Sequence, residues 1–192
     1  IPTAWTGTTP AAVDGAAEEA RSRLGLQQIH ATSHDSGDTA TLTAMAEKLG
    51  EGVDILYLVA HGAMIQGKPK NSLKNEAGAV AVADGEEFVT RLSELQQRPR
   101  LVVLASCQSA GTGEEAQSGE AGALASLGPQ LAQAGIPAVI AMQGNISMET
   151  VSKFMPIFFT ELERDGQIDR AMAAARGAIR ERDDWWVPAL FM

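Results

Sequence analysis

Residues 53–62, VDILYLVAHG, are an apolar, β-branched run that stops at His61 and Gly62. Residues 101–111, LVVLASCQSAG, repeat the pattern, since an apolar run stops at Cys107 and small residues follow. Near-continuous apolar runs of this length are typical of strands buried on both faces, as in a parallel sheet. If the two strands are parallel neighbours, their carboxyl ends lie about 4.8 Å apart. The two runs therefore predict an open α/β sheet with His61 and Cys107 at the edge where such sheets carry their sites.

The remaining chain is predicted to alternate between helices and strands. Apolar periodicity and end signals predict helices over residues 11–24, 39–49, 86–96, 123–134, 147–164 and 168–182. Apolar runs predict further strands over 26–32, 79–83 and 136–142, and an edge strand or packed terminus over 185–191. Composition predicts a poorly structured N-terminal segment at residues 1–10 and loops at 62–78 and 109–122. This order predicts a single domain over residues 1–192, with a doubly wound, mostly parallel sheet and helices on both faces.

Composition and charge narrow the possible partners. The net charge is −9, and direct nucleic-acid binding is not expected because phosphate neutralisation needs clustered Lys and Arg. No apolar stretch reaches the length of about 20 residues that spans a membrane, and no signal peptide is visible. The single cysteine rules out an internal disulfide, which fits a reducing cytoplasm. Because the chain begins with Ile1, we expect it to be processed or part of a larger protein.

The two strand ends suggest nucleophilic catalysis. A thiol attacks as its thiolate, and a histidine with a pKa near 6.5 suits the role of its base. Cys107 lies 46 positions after His61, which leaves room for a loop, a hairpin and a crossover helix between adjacent strands. The N–H groups of Gly62 and Cys107 are candidate donors to a substrate oxyanion. The residues therefore favour a cysteine nucleophile served by a histidine base.

Each of these residues also has a purely structural interpretation. A cysteine at the end of a buried strand is often a small core residue, and a histidine there often satisfies a loop carbonyl. That interpretation does not predict the pairing of the two at parallel strand ends. His30 and His34 have no comparable setting and are expected on the surface or in loops. One cysteine and three scattered histidines give no metal-ligand spacing, so neither a metal nor another cofactor is expected.

Four ordered segments resemble motifs of CHAT domains, the bacterial branch of the caspase-like and separase-like cysteine peptidases. They are Leu58-Val59-Ala60-His61-Gly62, residues 102–110 (VVLASCQSA), residues 135–143 (GIPAVIAMQ) and residues 168–176 (IDRAMAAAR). The resemblance extends over roughly residues 40–190 and implies a caspase-like fold. It also implies peptide-bond cleavage through a thioester, with His61 as general base, Cys107 as nucleophile and the amides of Gly62 and Cys107 as the oxyanion hole.

The resemblance carries expectations about context. CHAT domains usually sit in larger bacterial proteins beside repeat or signal-sensing modules that hold the peptidase inactive. We therefore expect a protein or peptide substrate and a regulatory or sensor module in the same or a partner chain. The expected role is signal-activated cleavage in a bacterial regulatory or antiviral defence system of the cytoplasm.

Substrate choice is predicted from the residues at the pocket positions. In separase-like relatives, an acidic residue after the third strand, or two positions before the cysteine, recognises a basic side chain. The corresponding positions here are uncharged: Ala105, and Gly144 or Asn145. We therefore expect an uncharged, apolar residue before the scissile bond, with Met142 and Gln143 lining its pocket.

The acidic loop at residues 109–122 is the other candidate for recognition. Its carboxylates, Glu114, Glu115 and Glu120, are either competing recognition groups or part of a solvated, flexible loop. Because loops of this composition lack fixed packing contacts, we expect the segment to be disordered or to rearrange when the peptidase is not engaged.

Three other functions remain open. The first is an inactive relative that serves as a scaffold or interaction domain. The second is a different thiol hydrolase or acyltransferase, whose nucleophile elbow usually reads Gly-x-Cys-x-Gly and feeds directly into a helix, whereas Cys107 leads into a long loop. The third is a redox-sensing cysteine, for which the chain offers no resolving partner.

Overall fold

The computed structural model describes residues 2–4, 30–32, 42–59, 62–65, 68–74, 80–105, 120–144 and 146–192. Strands in these ranges are β1 (Pro2–Ala4), β2 (His30–Thr32), β3 (Ile55–Val59), β4 (Gly62–Ile65), β5 (Lys68–Lys74), β6 (Val80–Asp84), β7 (Leu101–Ala105), β8 (Ala138–Met142) and β9 (Pro188–Phe191). Helices in these ranges are α1 (Leu42–Gly50), α2 (Gly85–Ser93), α3 (Glu120–Gln133), α4 (Met148–Asp165) and α5 (Ile168–Ala178). None of these helices is long and apolar enough to cross a lipid bilayer.

The central sheet has four strands in the order β3-β7-β8-β9. The first three are parallel, and β9 pairs antiparallel with β8. All five residues of β7 and of β8 are buried, which explains why their sequences are continuously apolar. The predicted α/β class with a mostly parallel sheet is confirmed, and β9 takes the edge position predicted for the tail.

Helices cover both faces of this sheet because alternate strand residues point to opposite faces. On one face, which we call the aromatic side, Tyr57, Val103 and Ile140 pack with the buried residues of α4 and α5, including Phe154, Phe158 and Phe159. On the other, which we call the leucine side, Leu58, Leu104 and Val139 pack with the buried residues of α1, α2 and α3, including Leu49, Leu92, Leu127 and Leu131. The two-sided core confirms the predicted layers.

Capping residues fix α4, the helix that follows β8. The Ser147 side chain accepts a hydrogen bond from the N–H of Thr150 at 3.2 Å, as an N-cap residue does. At the other end, Gly166 has a φ of 71° and its N–H bonds to the carbonyl of Leu162. A glycine tolerates this left-handed conformation without a Cβ penalty, so the helix ends there. The predicted helix over residues 147–164 is therefore confirmed.

The prediction of a loop over residues 62–78 is wrong for the parts the structure describes. β4, β5 and β6 form a second, antiparallel sheet in the order β4-β5-β6, and α3 packs against β4 and β5. Two residues separate β4 from β5, and Ile65 pairs with Lys68 across this connection, as in a tight hairpin. The Lys- and Pro-rich composition concealed these strands because their pairing rests on backbone hydrogen bonds. The strand predicted over residues 79–83 is present as β6.

The described part of the predicted N-terminal segment forms a strand. Residues 2–4 make up β1, which pairs in parallel with β2 and lies beside β3. This pairing gives three residues a regular structure that their composition did not indicate. The rest of residues 1–10 and the predicted helix over residues 11–24 lie outside the described residues. His30, expected on the surface or in a loop, opens β2.

The acidic loop predicted over residues 109–122 is shorter at its end than expected, because α3 already begins at Glu120. The remainder of the loop, with Glu114 and Glu115, lies outside the described residues. The prediction that this segment rearranges therefore stays a prediction.

Candidate active site

The candidate site lies at the carboxyl ends of β3, β7 and β8. The register pairs Val59 with Ala105 and Leu104 with Ala141, so these three strands end at the same edge of the sheet. His61 and Cys107 each follow by two residues the last pair of β3 and β7. Both lie outside the described residues, as does Asn145. The structure thus describes the strands that lead to the predicted dyad.

Gly62, the predicted oxyanion donor after His61, opens β4. It lies opposite Asn71 of β5 in the antiparallel sheet. Because β4 starts only three positions after the end of β3, the chain passes from the central sheet into the second sheet directly through His61. Of the two predicted oxyanion donors, Gly62 therefore lies in the second sheet.

The described residues of the predicted substrate pocket differ in exposure. Ala105 and Met142 have no solvent exposure and belong to the core of the aromatic side. Gln143 is exposed and Gly144 is half-buried. Among the described pocket residues, only Gln143 and Gly144 therefore reach the surface in this structure.

The segment after β8 is joined to the segment before β9. The N–H of Gln143 donates to the carbonyl of Val187 at 2.9 Å, which continues the antiparallel pairing by one position beyond Met142 and Pro188. The next residue, Gly144, faces Trp186. A Cβ placed on Gly144 would lie 3.2 Å from Cη2 of Trp186, a tight contact that a larger residue at position 144 could make only if the indole ring shifted slightly.

A polar network ties the N-terminus of α4 to the same segment. We define it as Ser147, Glu149, Thr150, Arg182 and Asp184. Asp184 accepts hydrogen bonds from the N–H of Ser147 at 2.8 Å and from the fully buried Thr150 hydroxyl at 2.6 Å. Arg182 donates to the Thr150 hydroxyl and, at 2.8 Å, to the Glu149 carboxylate. The network joins the start of α4 to the chain that leads into β9.

Hydrogen bonds within this network stabilise the ionised forms of Asp184 and Glu149. Burial alone would raise the pKa of Asp184, but hydrogen bonds from Thr150 and Ser147 outweigh it and lower that pKa. Hydrogen bonds from Lys153 and then Arg182 lower the pKa of Glu149. Both carboxylates are therefore ionised at neutral pH and pair with the cations around them.

Metal ligation has no support in the described part of the chain. Within it, no three His, Cys, Asp or Glu side chains are grouped closely enough to hold a metal ion.

Sequence reasoning missed Trp186, Arg182 and Asp184 as parts of this edge. The tail was predicted only as an edge strand or a packed terminus, which gave its residues no role at the site. The signal that could have found them is the direction of the last strand. If β9 runs antiparallel beside β8, the residues that precede β9 lie at the carboxyl end of β8. Local composition alone does not reveal that pairing.

Comparisons with known proteins identify the family. The family model of the CHAT domain matches residues 3–189. The solution structure of two-electron reduced flavodoxin from Megasphaera elsdenii is similar with a TM-score of 0.37 and 16% identity, over 72% of this chain and 81% of that one. A TM-score this low supports no conclusion, and no curated protein sequence matches this chain significantly. The family match spans nearly the whole chain and agrees with the open, mostly parallel sheet, so the chain belongs to the caspase-like CHAT domain family.

Proposed function

We propose that this chain is a cysteine peptidase in which His61 and Cys107 form the catalytic dyad and cleave a protein substrate through a thioester. The observation that carries the proposal is the parallel register between β3 and β7 in a member of the CHAT family. Family membership supports peptidase chemistry in general. The register supports these two residues in particular.

The register argument counts along both strands. β3 and β7 stay in one register from Ile55 and Leu101 to Val59 and Ala105. Two further residues along each sequence lead to His61 and Cys107, so a continued register would give them equivalent positions. Two residues of extended chain span at most about 7 Å, and neighbouring strands are about 4.8 Å apart. This supports a histidine within reach of the thiol.

The proposed reaction needs only these two side chains and backbone donors. His61 takes the proton of the Cys107 thiol, and the thiolate attacks the carbonyl carbon of the scissile bond. The tetrahedral intermediate collapses when His61 returns the proton to the leaving amine, which leaves an acyl group on the sulfur. His61 then takes a proton from water, which attacks the thioester and releases the carboxylate and the free thiol.

The pairing of β4 and β5 supports Gly62 as an oxyanion donor. Pro69 lies opposite Met64 and has no amide hydrogen, so this pair fits a non-hydrogen-bonded position of the ladder. The two kinds of pair alternate in antiparallel sheets, so Gly62, two residues before Met64, takes the same kind of position. Its N–H is then expected to point away from β5, where it is available to a substrate oxygen.

Cleavage of a complex peptide mixture, read by mass spectrometry, tests the proposal. The wild-type chain, Cys107→Ala and His61→Ala are compared, with His34→Ala as the matched control for loss of an imidazole. We expect Cys107→Ala to abolish cleavage, His61→Ala to lower its rate by at least about 100-fold, and His34→Ala to leave it unchanged. Cleavage that persists in Cys107→Ala would refute the proposed nucleophile.

If the wild-type chain cuts no peptide, a second measurement is needed. It is the rate at which iodoacetamide alkylates Cys107 at neutral pH. A rate that falls in His61→Ala indicates an assembled dyad without its activator. Equal rates in the two proteins refute the dyad and favour the alternative, an inactive caspase-like scaffold or interaction domain.

We also propose that a regulatory or sensor module, in the same or a partner chain, controls the peptidase in a bacterial regulatory or defence system of the cytoplasm. Family membership is the support for this context. Comparing the cleavage rate of this chain alone with that of the full-length protein, before and after addition of the partner chains, tests the control. Equal rates in all preparations would refute it.

A further inference from the structure

One row of residues crosses the carboxyl edge of the central sheet. β7 and β8 stay in register from Leu101 and Ala138 to Leu104 and Ala141, and three further residues along each lead to Cys107 and Gly144. β8 and β9 pair up to Met142 and Pro188, and the bond between Gln143 and Val187 continues this pairing. The next pair in that register is Gly144 and Trp186, and the ring contact described above places the two side by side. If β3 and β7 keep these registers beyond their last described pairs, His61 and Cys107 fall in the same row as Gly144 and Trp186.

Trp186 is held firmly although half of its side chain is exposed. Its exposed fraction is 50%, yet its Nε1 donates to the carbonyl of Asp183 at 3.1 Å. Two residues close to Trp186 in the sequence are also bonded to the segment after β8: Val187 accepts from the N–H of Gln143, and Asp184 accepts from the N–H of Ser147. The absence of a side chain at Gly144 leaves space for the ring. An exposed aromatic ring fixed in this way resembles a preformed binding surface more than a solvated surface residue.

We propose that Trp186 is the recognition residue of this peptidase, and that its ring, with Gly144 beneath it, binds an apolar side chain next to the scissile bond of the substrate. The inference rests on the proposed function, because it needs Cys107 as the nucleophile two strands from Trp186, with Gly144 after the strand between them. The ring lies against Gly144 at the end of β8, and β8 is the neighbour of β7, the strand that leads to Cys107. The ring therefore offers an apolar surface at the end of the strand next to that of the nucleophile. Arg182, the nearby cation of the network, pairs with both Asp184 and Glu149, so these charges are engaged within the protein.

Asp183 supports a competing prediction, in which the site binds a basic side chain of the substrate. It is an exposed carboxylate three residues before Trp186, and a carboxylate beside an aromatic ring would favour a lysine side chain instead. The two predictions differ in the residue that the substrate presents, and the experiment therefore includes a lysine probe.

The test measures covalent labelling of Cys107 by peptidyl acyloxymethyl ketones, Ac-Ala-Ala-Ala-X, with X as Leu, Ala or Lys. The Cys107 sulfur forms a bond to the methylene carbon and the carboxylate leaves, so intact mass reports the labelling rate. The proteins are the wild type, Trp186→Ala, Trp186→Phe, Gly144→Ala and the control Trp185→Ala. Trp185 is 40% exposed and lies 5.2 Å from the Arg176 guanidinium, so it matches Trp186 in type and exposure.

We expect the wild type to react with the Leu probe about tenfold faster than with the Ala probe, the range of an apolar pocket contact. Trp186→Ala should abolish this preference, Gly144→Ala should reduce it by displacing the ring, and Trp186→Phe and Trp185→Ala should keep most of it. Labelling by iodoacetamide, which has no peptide to recognise, should be the same in all five proteins.

Two results would overturn the inference: a Leu preference that survives in Trp186→Ala, or a wild-type preference for the Lys probe. No labelling of the wild type by any peptidyl probe, with normal iodoacetamide labelling, would also overturn it. Failure of the proposed function would be seen in a different measurement. In that case, iodoacetamide would label Cys107 at the same rate in the wild type and in His61→Ala. The two failures are therefore distinguishable.

Discussion

The aromatic side and the leucine side of the central sheet differ in how they connect to the candidate active site. The aromatic side buries a group of rings on α4: Phe154 and Phe158 are stacked with centroids 6.1 Å apart, and Phe159 meets Phe158 edge-on at 5.3 Å. The leucine side packs mainly aliphatic side chains from α1, α2 and α3. Both sides are well buried, so both are expected to contribute to the stability of the fold.

The polar contacts of the two sides separate their roles. The N-terminus of α4 on the aromatic side joins the segment next to Trp186 through Asp184 and Thr150. In the described part of the leucine side, the ion pairs are surface pairs such as Arg100 and Asp54, whose side chains are 83% and 71% exposed. Surface ion pairs of this kind contribute little to the free energy of unfolding. The aromatic side therefore joins its packing to the segment around Trp186, whereas the leucine side reaches the second sheet through α3 and has no polar contact with that segment among the described residues.

The largest expected effect comes from Phe158→Ala on the aromatic side. Phe158 has no solvent exposure and contacts two other rings, so its removal leaves a cavity and should lower the free energy of unfolding by about 4 kcal/mol. Because α4 carries the network, the Leu preference in labelling should also fall at temperatures where the protein stays folded. Urea unfolding and the labelling assay measure the two effects. A destabilisation without any change in preference would break the proposed link between packing and site.

Leu92→Ala makes the matched change on the leucine side. Leu92 is also fully buried, and its truncation should lower the free energy of unfolding by about 3 kcal/mol. Since α2 has no polar contact with the segment around Trp186 among the described residues, the Leu preference should stay at its wild-type value in the folded protein. Urea unfolding and labelling are again the measurements. A loss of preference as large as that in Phe158→Ala would remove the distinction between the two sides.

The difference between the two sides also bears on what the sequence predicts. The runs of Val, Ile and Leu in β3, β7 and β8 predicted a mostly parallel sheet directly, because side chains of these strands are buried on both faces. Ser147 and Gly166 marked the ends of α4 for local reasons of hydrogen bonding and backbone conformation. Such features can be predicted because the cause lies within a few residues.

Features that depend on pairing distant segments were missed. β5 consists of polar, Lys- and Pro-containing sequence and β4 has only four residues, so only their register shows that they are strands. Trp186 becomes part of the candidate site because β9 runs antiparallel to β8, which brings it opposite Gly144. His61 and Cys107 could be chosen from sequence because each ends an apolar run, whereas nothing near Trp186 in the sequence indicates its neighbour.

Asp184→Asn changes the residue that joins the start of α4 to the segment around Trp186. It should affect stability less than the two truncations in the core. The amide keeps the shape of the side chain but loses the charge that faces Arg182 and the Thr150 hydroxyl, so the free energy of unfolding should fall by about 1.5 kcal/mol. The Leu preference should fall as well, because Ser147 and the start of α4 lose a charged partner. Asp183→Asn, at an exposed neighbouring carboxylate, is the control and should leave stability unchanged. Equal effects of the two changes would contradict a special role for Asp184.

The smallest expected effect is the loss of stability at acidic pH. Its dependence on pH tests whether Asp184 stabilises the protein through its charge. Hydrogen bonds hold the pKa of Asp184 below its ordinary value of 3.8, although burial opposes them. A carboxylate with a lowered folded-state pKa contributes stability that is complete above the ordinary pKa and is lost as the pH falls through the folded-state pKa. The difference in free energy of unfolding between the wild type and Asp184→Asn should therefore be constant from pH 7 to about pH 5 and shrink below about pH 4. Urea unfolding at a series of pH values measures it, and because Glu149 titrates in both proteins, its contribution cancels. A difference that stays constant down to pH 3 would mean that Asp184 acts through its shape rather than its charge, and the link between α4 and Trp186 would then be steric.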